Sequence, residues 1–148
     1  MNTKHFLTVM LLVMTFTSFA AVVTSPNGKI AVNVEVKSLL EPYPAGERLY
    51  YSVTFNGAPI LLDSPFRLDF KGQPSLAKDV AIVDEARRTV NETWKTVWGK
   101  SSSVLNSYNE LTLTVRETGA PNRSFIFAVR AFDDGVAFHY GLPQTGGF

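Results

Sequence analysis

Residues 125–142 read FIFAVRAFDDGVAFHYGL and contain the clearest structural signal in the chain. Two runs rich in aromatic residues flank Asp133, Asp134 and Gly135. Asp-Gly is a preferred pair for the centre of a two-residue β-hairpin turn, because both residues tolerate positive φ. We therefore expect an antiparallel hairpin with Asp134-Gly135 at its turn.

Alternation of apolar and polar residues with a period of two recurs along the chain. It is clearest in residues 30–37, 49–55 and 111–116, and this period is typical of half-buried strands. A short strand is also expected around residues 66–70, and residues 79–83 look extended. Asn56-Gly57 follows the second run and predicts another hairpin there. About nine or ten short strands, without helical periodicity, predict an all-β fold that is an antiparallel β-sandwich or barrel.

The first 20 residues have the composition of an export signal. Lys4 precedes an apolar run over residues 6–16, and the small residues Ser18 and Ala20 suit cleavage before Ala21. An uncleaved anchor is disfavoured, because the run is shorter than the roughly 20 residues that cross a bilayer. The sequence predicts a signal peptide over residues 1–20 and an exported domain over residues 21–148, periplasmic or secreted, with no membrane association after cleavage.

Charge and cysteine content exclude several classes of function. The chain has 14 basic and 13 acidic residues and no cysteine, and Lys4 would leave with the signal peptide. Nucleic-acid binders concentrate Lys and Arg on one surface, and this chain has no such run. The lack of thiols excludes cysteine nucleophiles, thiolate metal sites and disulfides.

Two polar features near the last hairpin could suggest catalysis. His139 is the single histidine after the signal peptide, and its parity on the strand predicts that it faces outward as a surface residue. Asp133 and Asp134 are adjacent, whereas glycoside hydrolysis requires two carboxylates that face each other about 5 to 9 Å apart. Neighbouring residues in a turn do not provide that geometry, so we interpret this pair as turn chemistry.

Aromatic and polar side chains give the remaining candidate contacts. Residues 89–98 look extended, so Trp94 and Trp98 would share a strand face roughly 13 Å apart and could stack on sugar rings or pack against another domain. Tyr108, Asn109 and Glu110 stand at the head of a predicted strand and offer a hydroxyl, an amide and a carboxylate. A loop hydrogen bond would explain this second group equally well. The sequence predicts no catalytic residue, cofactor site or metal site.

An ordered set of motifs carries a resemblance to a known family. In order, they are SPNGKI (25–30), LYYSV (49–53) with Asn56-Gly57, Ser64-Pro65, ETWKTVWG (92–99), YNEL (108–111) and FDDGVAFHY (132–140). This ordered set resembles the N-terminal domain of glycoside hydrolase family 97. One departure is visible, because the family pattern has arginine between the last aromatic residues, where this chain has His139.

The resemblance implies an exported α-glucosidase or α-galactosidase that acts on α-linked oligosaccharides. In that family a galactose-mutarotase-like β-sandwich packs on a catalytic (β/α)8 barrel, and calcium assists catalysis in the full-length enzyme. The catalytic carboxylates belong mainly to the barrel and would lie beyond Phe148. The chain would then be a fragment, the first part of an incomplete sandwich, and inactive alone. The alternative is a stand-alone exported β-sandwich that binds carbohydrate or a protein surface.

Overall fold

The computed structural model describes residues 20–100 and 102–148, so the predicted signal peptide lies almost wholly outside the described residues. This part of the chain forms ten β-strands and no helix, and hence no helix that could span a membrane. The strands are β1 (Ala20–Thr24), β2 (Ile30–Lys37), β3 (Arg48–Phe55), β4 (Ala58–Pro65), β5 (Leu68–Phe70), β6 (Gln73–Leu76), β7 (Val80–Lys95), β8 (Ser103–Glu117), β9 (Ser124–Phe132) and β10 (Val136–Gly141).

Two four-stranded antiparallel sheets make up the fold. One has the order β1-β2-β3-β4, the other has the order β10-β9-β8-β7, and β5 pairs with β6 alone. Strands β1 and β2 pack on β8 and β9, which places the core between the two sheets. The predicted antiparallel all-β fold is confirmed.

The core follows from the alternation in the strands. Val32 and Val34 of β2 are fully buried, as are Leu111 and Leu113 of β8, whereas the residues between them are more exposed. Each such side chain contributes roughly 1.5–3 kcal/mol when it leaves water. Aromatic rings fill the end of the core near β10, where Phe127 lies 5.8 Å from Phe138 between ring centroids. The apolar side chains of both sheets face the core, so the outer faces of the sheets are the surfaces available to partners.

Both predicted hairpins are present, and one turn differs in register. Strands β3 and β4 meet at Asn56 and Gly57, which have φ of 49° and 79° as the prediction requires. In the β9–β10 hairpin, the backbone N–H of Phe132 donates to the oxygen of Gly135 at 2.8 Å. The central turn residues are therefore the two aspartates, not Asp134-Gly135, and neither aspartate has positive φ.

Three other strand predictions need correction. The extended runs expected at residues 79–83 and 89–98 are one strand, β7, which ends at Lys95. The run expected at residues 66–70 is a strand only over Leu68–Phe70. Strand β1 was not expected, although Ala21 and Val23 are buried. Strand β7 was missed as a unit because it is an edge strand with few buried side chains, so its sequence lacks the alternation that marks a half-buried strand.

A buried ion pair joins the two-stranded sheet to the large sandwich. Arg123 is fully buried and donates from Nε to Glu117 at 2.9 Å and from Nη2 at 2.7 Å. Its Nη1 also donates to the carbonyl oxygen of Pro74 at 2.8 Å, and its guanidinium lies near the rings of Phe70 and Phe148. One side chain thus connects the β5–β6 sheet, the β8–β9 turn and residues close to Phe148.

Candidate functional site

A charged cluster lies on the outer face of the second sheet. Its centre is Glu110 of β8, which pairs across the sheet with Arg88 of β7 on one side and Arg130 of β9 on the other. The Nε of Arg88 lies 2.6 Å from one carboxylate oxygen, and Arg130 Nε donates to the other. Strand register alone brings these three residues together, since directly opposite side chains in antiparallel strands lie within reach of each other.

Tyr108 extends this cluster along the same face. Its hydroxyl accepts a hydrogen bond from Arg88 Nη2 at 3.3 Å, and the Arg130 guanidinium carbon lies 4.8 Å from its ring centroid. Phe132 packs against the other side of the cluster with its ring centroid 5.0 Å from that of Tyr108. The ring and the carboxylate are buried, while the two arginines are about half exposed. The cluster therefore presents the guanidinium groups of Arg88 and Arg130 to solvent, above the buried Tyr108 ring and the buried Glu110 carboxylate.

The ionisation of Glu110 follows from these contacts. Burial alone would raise the pKa of its carboxyl, but hydrogen bonds from Arg88 and Arg130 outweigh burial and hold the pKa below its ordinary value. With its pKa lowered by two guanidinium partners, the carboxylate is ionised at neutral pH and accepts a proton poorly. Glu110 is therefore suited to orient the arginines and not to act as a general acid or base.

The predicted Tyr108-Asn109-Glu110 group does not form one site. Strand β8 begins five residues before Tyr108, so the three residues lie inside the strand and not at its head. Asn109 points away from its two neighbours: its Nδ2 donates to the carbonyl oxygen of Thr24 at 2.8 Å, and its Oδ1 accepts from Thr89 at 2.7 Å. Asn109 therefore links the second sheet to strand β1 through hydrogen bonds, which is a structural role.

The two tryptophans lie on a hairpin extension. Beyond the pair of Tyr108 with Phe132, β7 and β8 bond only to each other over residues 91–95 and 103–107, which we call the β7–β8 arm. Trp94 is on this arm and half exposed, whereas Trp98 follows the end of β7 and is 88% exposed. The expectation that both rings share one strand face is wrong, because the strand ends before Trp98. Both rings are nevertheless close together in sequence at one exposed end of the molecule.

The polar residues of the last hairpin occupy the positions expected of surface and turn residues. His139 is exposed and lies opposite Ala128, beside a pocket of about 350 Å³ that Arg130 and Thr112 also line. Asp133 accepts a hydrogen bond from the backbone N–H of Asn27 at 2.8 Å, which ties this turn to the β1–β2 turn. Asp134 is exposed.

The acidic residues do not assemble a calcium site in the described part of the chain. Calcium takes six to eight oxygen ligands, and residues 20–100 and 102–148 contain no group of three acidic or histidine side chains that could hold a metal. Glu110 and Glu117, the two buried carboxylates among the described residues, already form ion pairs with arginines.

Sequence reasoning missed both arginine partners of Glu110. Arg130 interrupts an apolar run at outward parity, which is a detectable signal, but nothing in the sequence identifies its partner. Arg88 is separated from Glu110 by 22 positions, and only the register of β7 on β8 reveals their contact. Arg123 gave no signal for burial, because arginine in a turn is ordinarily exposed.

Comparison with known proteins identifies the family. The family described as Glycosyl-hydrolase 97 N-terminal matches residues 23–148. The chain belongs to this family. The family 97 domain is 25% identical over 116 residues to a retaining α-galactosidase of Bacteroides thetaiotaomicron, and 31% identical over 99 residues to a probable retaining α-galactosidase of Streptomyces bingchenggensis. These matches cover 78% and 67% of the chain and 15% of each relative, so the chain spans only a small part of their length.

Solved structures agree with this assignment. The family 97 domain superposes with a TM-score of 0.74 and 26% identity on a glycoside hydrolase family 97 enzyme from a Pseudoalteromonas species, solved with panose and with acarbose. That match covers 85% of this chain and 18% of the enzyme. A β-arabinopyranosidase, at 24% identity and a TM-score of 0.69, shares the fold.

Proposed function

We propose that this domain is the N-terminal β-sandwich of an exported α-glycosidase that hydrolyses α-linked galactosides or glucosides. The observation that carries the proposal is the family match over residues 23–148, together with relatives that are named retaining α-galactosidases and are several times longer. The related enzyme solved with panose and acarbose supports an α-linked oligosaccharide as the substrate class. Calcium would act in the full-length enzyme, with ligands outside the part described here.

In this proposal the domain supports catalysis without performing it. Glu110 is ionised and held by Arg88 and Arg130, and Asp133 is bonded to the backbone of Asn27. Both carboxylates are thus engaged in structural contacts, whereas glycoside hydrolysis needs two carboxylates that face each other about 5 to 9 Å apart. The sandwich would therefore act as scaffold, and its outer surfaces would contact the catalytic domain.

Hydrolysis assays test whether the domain supports catalysis without performing it. We expect the chain alone to show no hydrolysis of 4-nitrophenyl α-galactoside or α-glucoside, with or without calcium. The protein encoded by the reading frame followed past codon 148 should hydrolyse one of them. Turnover by the homogeneous chain alone would refute the scaffold role. A stop codon after Phe148, with a stable monomer that binds sugar, would favour the stand-alone alternative.

The β7–β8 arm gives the proposal a specific contact. Its end carries Trp94, Val97, Trp98 and Leu105, which are all at least half exposed, and such an apolar patch ordinarily marks an interaction site. We place these residues at the contact with the catalytic domain. Sugar stacking on the rings is the alternative, since polar side chains such as Lys95 and Lys100 lie on the same end of the arm.

Tryptophan variants distinguish contact with the catalytic domain from sugar stacking. Trp98→Ala in the full-length enzyme should lower its thermal unfolding midpoint, while Leu40→Ala, at a loop residue that is 86% exposed, should not. Calorimetric titration of the chain alone with maltose and melibiose should give no heat of binding. Binding that Trp98→Ala abolishes would assign the ring to sugar instead.

Export is testable at the N-terminus. Protein recovered from the periplasm or medium of an expressing bacterium should begin at Ala21, as the signal-peptide prediction requires. Recovery of an intact N-terminus in the membrane fraction would favour an uncleaved anchor.

A further inference from the structure

Arg48 is a buried cation without a carboxylate partner. It begins β3 and is only 7% exposed, yet no acidic side chain among the described residues lies within 4.0 Å of it. Its one hydrogen bond is a long contact from Nη1 to the carbonyl oxygen of Gly46 at 3.4 Å. A guanidinium group has five N–H donors, and buried charges are normally paired.

Arg123 shows how the same molecule satisfies a buried guanidinium group. Its donors bond both oxygens of Glu117 and the carbonyl oxygens of Pro74 and Ser75. Arg48 has the same chemistry and nearly the same burial but lacks this set of acceptors. Its remaining donors are therefore available to a group that is not part of the described chain.

Arg48 borders a cavity. A pocket of about 390 Å³ is lined by Arg48 together with two further cations, Arg67 and Lys78. These two already have carboxylate partners: Arg67 is bonded to Asp69 at 3.0 Å, and Lys78 is bonded to Asp79 at 3.3 Å. Arg48 is thus the cation of this pocket that forms no ion pair within 4.0 Å in the described part of the chain, although Asp79, the partner of Lys78, also borders the Gly46 loop beside it.

The rest of the pocket is aromatic and apolar. Its walls include Tyr43, Pro44, Pro65 and Phe66, and the hydroxyl of Ser75 adds a polar group. The guanidinium of Arg48 lies 5.7 Å from the Tyr43 ring centroid, so the ring and the cation adjoin one another. The pocket therefore matches a ligand that has a ring with an apolar face and an anionic group at one end.

We propose that this pocket binds a uronic acid residue, with its carboxylate on Arg48 and its ring against Tyr43. A carboxylate accepts two parallel hydrogen bonds from a guanidinium group, which is a charge-assisted and planar arrangement. The choice of a sugar as the ring rests on the proposed function, whereas the carboxylate site rests on Arg48 alone. The pocket would let the domain recognise acidic sugars in addition to the substrate of the full-length enzyme.

Gly46 maintains the geometry of this site. Its φ of 143° is a conformation that favours glycine, and a Cβ atom there would lie 3.1 Å from Asp79 Oδ1 and 3.4 Å from Arg48 Nη1. The loop before β3 therefore lies directly against the guanidinium, and a side chain at this position would strain the backbone and push against Asp79 and Arg48.

Calorimetric titration of the chain with glucuronate and galacturonate tests the proposal. The comparison ligands are glucose and galactose, which lack the carboxylate, and acetate and inorganic phosphate, which lack the ring. We expect at least one uronate to bind at least tenfold more tightly than all four, and less tightly as salt rises, because salt screens the ion pair. Equal binding of uronate and neutral sugar, or of uronate and simple anions, would overturn the proposal.

Variants assign the binding to Arg48. Arg48→Gln should weaken uronate binding at least tenfold, and Arg116→Gln, at an exposed arginine of the second sheet, should leave it unchanged. Circular dichroism establishes that each variant is folded. Tyr43→Ala, at a partly exposed ring, gives a second test that does not remove the buried cation, and it should weaken uronate binding without affecting acetate. Unchanged uronate affinity in folded Arg48→Gln or in Tyr43→Ala would refute the site. Because no assay involves hydrolysis, failure here would not bear on the proposed glycosidase function.

Discussion

At the scale of single residues, arginine partners decide what the two buried carboxylates do. Glu110 and Glu117 each accept charged hydrogen bonds, and in each the pKa lies below its ordinary value. For Glu117 the main cause is the hydrogen bond from Arg123; for Glu110 burial opposes the shift and two arginines overcome it. Both carboxylates therefore serve the structure.

Replacing Glu110 should destabilise the domain moderately. Glu110→Gln would remove the charge between Arg88 and Arg130 and leave two cations facing each other on the sheet. Hydrogen bonds to charged groups contribute about 1.5–3 kcal/mol, and the exposure of both arginines reduces this, so we expect a loss of about 1 kcal/mol. Urea unfolding measures it, with the exposed Asp134→Asn as control. No difference between the two variants would contradict the structural role.

The Glu117–Arg123 pair should make stability depend on pH. Because the folded-state pKa of Glu117 is lowered, its contribution is fully present above the unfolded-state pKa, near 4.3, and is lost as pH falls through the folded-state pKa. Glu117→Gln should cost about 3–5 kcal/mol at pH 7, since it leaves Arg123 without its counterion. The difference from wild type should shrink below about pH 4.

Unfolding curves from pH 7 to pH 3 check this expectation. The exposed Glu47→Gln is the matched control, and its difference from wild type should stay small throughout. A pH-independent cost for Glu117→Gln would mean that packing and not charge stabilises this position.

At the scale of secondary-structure elements, the β7–β8 arm is the least supported part of the fold. Residues 91–95 and 103–107 pair with each other and with no third strand in the described chain. An isolated two-stranded hairpin is marginally stable in water. The arm should therefore depend on a partner surface for its order, which is consistent with its exposed apolar end.

Hydrogen exchange should separate the arm from the sandwich. In the chain alone, paired amides of residues 91–95 should exchange at least a hundredfold faster than those of residues 111–115, because the arm opens without unfolding the core. Mass spectrometry of peptides from each segment measures this. Addition of the catalytic domain should slow exchange in the arm, while equal protection of both segments in the chain alone would contradict the account.

The predictability of each element from sequence follows from its burial. The alternation at residues 30–37 and the Asn56-Gly57 turn predicted β2 and the β3–β4 hairpin, because one buried face leaves a period of two. Strand β7 has few buried residues and left no such pattern. The Arg88–Glu110–Arg130 cluster depends on register between strands, and the Arg48 pocket on how a loop folds back. Neither the cluster nor the pocket can be deduced from local sequence.

At the scale of the whole molecule, strand β4 is an exposed edge of the first sheet. Within the described residues it pairs with β3 alone, and Ile60 and Leu62 are 65% and 73% exposed. An exposed apolar edge strand offers unpaired backbone groups to other chains. The chain alone should therefore associate through this edge.

A charge on the edge strand should reduce this association. Leu62→Lys should raise the monomer fraction in size-exclusion chromatography with light scattering, because a charged edge disfavours strand pairing between molecules. Leu40→Lys, at an apolar residue outside any strand that is 86% exposed, separates the loss of edge pairing from a general gain in solubility. Equal improvement by both variants would argue against pairing through β4.

Each large sheet is a meander in which every strand lies beside its neighbour in sequence. Because a chain is made from its N-terminus, its strands become available in an order that matches assembly: β1 to β4 could pair before β7 is made. Contacts within a sheet are local and form early, whereas contacts between sheets must wait for β8 and β9. The interval between these events leaves the apolar face of the first sheet uncovered, and that is when a chaperone would have most to bind.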